Sequence, residues 1–99
     1  MEFEVRQSST YRDWFDRLRD RQAKAHIDAR VRRLSMGNAG DAKSVGSGVS
    51  ELRVDHGPGY RVYFIRKGRT IIVLLCGGDK RTQQADIERA IEIAKHWTV

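Results

Sequence analysis

Residues 71–76 read IIVLLC, six apolar residues in succession, followed at once by GGDKR. An apolar run this short, rich in β-branched side chains and bounded by turn residues, predicts a strand covered on both faces. Such a strand needs one packing layer above it and another below. The sequence on either side of the run supplies both. The Gly77-Gly78 pair reads as a flexible end to the strand, from which Lys80 and Arg81 emerge beside the start of a last helix.

The upstream layer begins with EFEVRQ at 2–7, whose alternation predicts a short strand burying Phe3 and Val5. Thr10 stands three residues before Asp13, a helix-start signal. Tyr11, Trp14, Phe15 and Leu18 then recur at helical spacing as an aromatic-rich face. Asp20 reads as the N-cap of a second helix with Ala23, Ile27, Val31 and Leu34 on one stripe, ending at Gly37. With so short a junction the two helices are expected to form an antiparallel hairpin. Its outer face would carry Arg17, Arg19, Arg21, Lys24, Arg30, Arg32 and Arg33.

GNAGDAKSVGSG at 37–48 reads as a polar, glycine-rich loop. SELRVD and YRVYFIR alternate as strands around an HGPG turn, and KGR at 67–69 is a tight hairpin in which Gly68 takes positive φ. Leu52, Val54, Tyr60, Val62 and Phe64 fall on one face; Glu51, Arg53, Asp55, Arg61, Tyr63 and Ile65 fall on the other. A final helix over 82–97 turns Ile87, Ala90, Ile91, Ala94 and Trp97 to the core. The order β-α-α-β-β-β-α, with helices grouped around a mostly antiparallel sheet, is α+β, and residues 1–99 are expected to form one domain.

Nineteen Lys and Arg against thirteen Asp and Glu give a net charge of +6, an excess that attracts polyanions such as nucleic acid. No segment reads as a signal peptide or a membrane span, so the expected compartment is the cytoplasm, with no membrane partner. The single cysteine, Cys76, lies within the apolar run as a small core residue. His26, His56 and His96 are scattered and read as surface or capping residues; no metal-ligand spacing and no phosphate-loop motif occurs, so no metal or cofactor is expected.

Arg53 and Arg61 lie close across the second hairpin and on one face, which is repulsive unless an anion sits between them. With Lys80 and Arg81 at the end of the central strand, they form a cationic set suited to phosphate. Fixed cations of this kind can stabilise the charge that builds on phosphorus while an RNA 2′-hydroxyl attacks. Tyr60 and Tyr63 read either as stacking platforms or as sheet packing, and Glu51 as a carboxylate that orients an arginine. A lysine among arginines can have a lowered pKa, which makes Lys80 a candidate base.

These residues also carry a resemblance. ELR at 51–53, GYRVYF at 59–64, LLCGGDKRTQ at 74–83 and DIERA at 86–90 resemble the RelE/ParE toxin superfamily, nearest the phage Gp49/HigB-like group of addiction-module killer proteins. The upstream WFDRLRDRQAKAHIDARVRRL resembles that group's helical hairpin. The resemblance implies the fold above and a type II toxin partnered by a helix-turn-helix antitoxin. It also implies metal-independent cleavage of mRNA in the ribosomal A site. By position, Arg61 matches the arginine that stabilises the transition state, Arg53 a basic strand position, and Lys80 the basic position after the last strand; Arg81, Tyr63, Tyr60 and Glu51 are the remaining expected RNA contacts. RelE has a tyrosine in its C-terminal helix, whereas this chain ends IAKHWTV and has none there, so the general base stays open. ParE relatives instead poison DNA gyrase, and a degenerate member would act only through antitoxin binding; the cationic set favours the nuclease.

Overall fold

The computed structural model describes residues 2–98. The apolar run lies within the longest strand, β5 (Ile71–Asp79), which has neighbours on both sides. On one side it pairs in parallel with β1 (Glu4–Gln7); on the other it pairs antiparallel with β4 (Tyr60–Lys67), followed by β3 (Val49–Val54) and β2 (Ala42–Gly46). The sheet order is β1-β5-β4-β3-β2. Helices α1 (Ser9–Arg17) and α2 (Arg21–Ser35) cover one face, and α3 (Gln83–His96) covers the other. The architecture is α+β, as the alternation predicts.

The two layers use the predicted residues. Ile27, Leu34, Leu52, Val62, Phe64, Ile72 and Leu74 form one cluster with Tyr11, and Phe3, Val5, Trp14 and Phe15 pack against it. Tyr63, Ile65, Val73, Leu75, Cys76 and Ala90 form the other, with Ile87, Ile91, Ala94 and Trp97 against it. Asp20 caps α2 by accepting from Gln22 N and Ala23 N, as expected.

Four local expectations are corrected. The helix-start signal at Thr10 is not used: Ser8 caps α1, accepting from Tyr11 N while its hydroxyl donates to the Leu75 carbonyl. That carbonyl belongs to the residue skipped by the register, since Tyr63 pairs with Cys76 and Phe64 with Leu74. The segment 37–48 is not all loop, because β2 lies within it. Ser47 at φ 54 and Gly48 at φ 79 make the tight turn into β3, the pair of positive φ values that a two-residue hairpin favours.

Arg30, assigned to the outer helix face, instead turns inward. Its Nε donates to the Arg53 carbonyl at 3.2 Å and its Nη2 to the carbonyls of Ala39 and Asp41 at 3.1 and 3.2 Å. Backbone acceptors on β3 and in the loop before β2 need donors, and a guanidinium supplies several from one side chain. Gly77 and Gly78 are not a flexible strand end either. Both are buried strand residues. A Cβ on Gly77 would meet the Trp14 ring, and one on Gly78 would meet Asp86, so the glycines let α1 and α3 sit close to the sheet.

Candidate active site

Strand register sets Arg53 directly opposite Arg61 and Glu51 directly opposite Tyr63. Two guanidinium groups so placed repel, and the group that compensates them is Glu51. Its carboxylate is fully buried beneath them. Oε2 accepts from Gln83 Nε2 at 2.8 Å and from the Tyr63 hydroxyl at 3.1 Å, and Oε1 accepts from Arg53 Nε at 3.3 Å. Arg61 Nε stands 3.6 Å from Oε2, a charge contact longer than a hydrogen bond. The other end of Arg61 is fixed by the turn before β4, where Nη1 donates to the Gly59 carbonyl at 2.8 Å. Gly59 holds a φ of 82, which permits this turn.

Burial alone raises the Glu51 carboxyl, but hydrogen bonds from Gln83, Arg53 and Tyr63, with the charge of Arg61, outweigh it and hold the group below its ordinary range. Tyr63 moves the opposite way. Burial, and then the charge and hydrogen bond of Glu51, push its phenol above the ordinary range, so it stays a neutral donor.

Above this network a shallow cleft of about 240 Å³ is lined by Arg53, Arg61 and Lys80, together with Asp41, Asp55 and Tyr60. Lys80 opens the 3₁₀ turn Lys80–Thr82 that links β5 to α3. The structure therefore brings Arg53, Arg61, Lys80 and Tyr60 to one opening. It leaves three expected contacts outside it. Arg81 is 82% exposed and bound back to Asp79, with Nη2 to Oδ2 at 2.9 Å. Tyr63 and Glu51 are each 0% exposed. Both lie beneath the sheet surface, where Glu51 contacts Arg53 and Arg61 and Tyr63 donates to Glu51.

Gln83, the Gly59 carbonyl, Asp41 and Asp55 are site groups that the sequence reading did not single out. The HGPG turn, which ends at Gly59 two residues before Arg61, is the sequence signal for the Gly59 contact. Nothing in the local sequence marks Gln83, which reaches Glu51 only because α3 starts against β3 and β4.

Two anions together with three cations at one opening can bind and orient a phosphodiester. The model for the family described as "Phage derived protein Gp49-like (DUF891)" matches residues 13–97. An uncharacterized protein of Haemophilus influenzae is 45% identical over 95 residues, covering 96% of each chain. A chain in the crystal structure of the toxin–antitoxin complex RelBE2 from Mycobacterium tuberculosis has the same fold, with a TM-score of 0.64 at 21% identity, covering 81% of this chain and 100% of that one. The motifs of strands β3 to β5 and of α3 thus sit in a fold shared with a chain of that complex, and the family match covers most of the sequence: the chain is a member of the phage-derived Gp49-like family.

Proposed function

We propose that this protein is the toxin of a type II toxin–antitoxin pair and cleaves mRNA on the ribosome in the cytoplasm without a metal ion. The observation that carries the reading is the pairing of Arg53 with Arg61 over one buried carboxylate, with Lys80 at the same cleft. Glu51 offsets one of the two positive charges, so with Lys80 the cleft keeps a net positive charge suited to a phosphodiester. In the step we infer, the 2′-oxygen forms a bond to phosphorus as its proton passes to a base. The bond from phosphorus to the 5′-oxygen breaks with its electron pair going to that oxygen, which takes up a proton from water, leaving a 2′,3′-cyclic phosphate and a 5′-hydroxyl. Arg61, fixed through Nη1 by the Gly59 carbonyl and with Nε facing the Glu51 charge, faces the charge that builds on the phosphoryl oxygens. Arg53 and Lys80 bind the flanking backbone, and Tyr60 lines the path of the bases. Lys80, the base expected from the sequence, and the carboxylates of Asp41 and Asp55 share this cleft and are the candidates for the proton acceptor. The partner implied is a helix-turn-helix antitoxin.

Primer extension on mRNA in a reconstituted translation system tests this. Cuts at the A-site codon that require ribosomes are expected, and Arg61→Ala should reduce them by about 10²- to 10³-fold, the usual cost of one transition-state donor. Intact mRNA together with trapped gyrase cleavage complexes would replace the nuclease with a ParE-like poison.

A further inference from the structure

His56 and His26 are far apart in sequence, yet their rings stack at 4.6 Å between centroids. His56 belongs to the turn between β3 and β4. Its Nε2 lies 3.2 Å from Oδ2 of Asp20, while Oδ1 of the same carboxylate caps α2 through Gln22 N and Ala23 N at 2.9 and 3.2 Å. One aspartate therefore ties the start of α2 to the turn. Within the turn the His56 carbonyl accepts from Gly59 N at 3.1 Å, and the Gly59 carbonyl accepts from Arg61 at 2.8 Å. A continuous path of hydrogen bonds runs from the α2 cap to the guanidinium at the cleft.

We propose that His56 is a positioning residue whose pair with Asp20 clamps the β3–β4 turn and thereby holds Arg61 in place, more firmly when the imidazole is protonated. The groups facing His56 are Asp20 and His26; Lys24, also on α2, is turned away over the Phe15 ring at 5.3 Å. Neutral His56 keeps a hydrogen bond to Asp20; protonated His56 adds an ion pair. The catalytic consequence rests on the ribonuclease reading, but the clamp itself does not.

The test reads Arg61 directly. In ¹⁵N-labelled full-length protein, the Arg61 Nε–Hε resonance, assigned by its loss in Arg61→Lys, is followed from about pH 8 to about pH 5.5, across the ordinary histidine range. Its hydrogen-exchange protection relative to free arginine at the same pH should rise about two- to five-fold on acidification, the scale of one partly exposed ion pair. His56→Gln and Asp20→Asn should abolish that rise; asparagine keeps the α2 cap, so the fold is preserved. Equal pH responses in the wild type and both variants, with native amide spectra, would overturn the clamp. mRNA cleavage measured on the same samples separates the two ideas. A protein that shows the Arg61 response but cuts no mRNA retains the clamp and loses the nuclease; one that cuts mRNA with no such response does the reverse.

Discussion

Glu51→Gln isolates the group that makes the cationic cleft possible. The substitution preserves volume but removes the charge, and it sets an amide NH₂ against donors that all point inward. Glu51 accepts three hydrogen bonds, from Gln83, Tyr63 and Arg53, and faces Arg61 at 3.6 Å. Removing one partner of a buried charge pair costs about 3–5 kcal/mol. Arg53 is 38% exposed and solvent screens its share, whereas Arg61 is 12% exposed and is not so relieved, so the lower end of that range, about 3 kcal/mol, is expected. With a urea slope of about 1.5 kcal/mol/M for a chain this size, the unfolding midpoint should fall by about 2 M at neutral pH. Tryptophan fluorescence reports the transition, because Trp14 packs on the sheet at Gly77. The pH dependence has a definite sign. The folded state holds the Glu51 carboxyl below its ordinary value of 4.5, so its stabilisation is complete above that value and is lost as pH falls through the lower folded value. The gap between wild type and variant should therefore close in acid, where Glu51 becomes neutral like glutamine. A midpoint shift under about 0.5 M at neutral pH would refute the compensating role of Glu51. A gap of constant size down to about pH 3 would also refute it.

Gly78→Ala should cost about 2–3 kcal/mol in a urea melt, because the new methyl meets the Asp86 carboxylate and forces α3 away from β5. Burial, and then the charge of Asp86, push the Cys76 thiol up to about 12, so an aromatic disulfide reagent should leave the native protein unmodified at neutral pH and react at once in denaturant. Arg30→Ala removes three hydrogen bonds to main-chain carbonyls, and should cost about 2 kcal/mol and speed amide exchange in β3, where Arg53 N bonds the Asp41 carbonyl. A native-like exchange rate there would show that Arg30 only decorates the surface.

Much of the molecule is set by periodicity alone. The all-apolar run at 71–76 could only be a strand covered twice, and the alternation in SELRVD and YRVYFIR already put Arg53 and Arg61 on a face opposite Leu52 and Val62. Those patterns are local, and local patterns survive folding when burial is their cause. Other features depend on what arrives from elsewhere in the chain. No neighbouring residue indicates that the register skips Leu75, yet that skip turns Gly77 beneath Trp14 and Gly78 beneath Asp86. β2 is too polar to read as a strand and exists because the β3 edge offers it hydrogen bonds. Tyr63 and Glu51 look like surface groups beside arginines, but α3 closes over them and makes them internal. The sequence determines which cations share a face; only tertiary packing decides that a buried carboxylate holds them there, since that requires donors from β3, β4 and α3 to converge on one point.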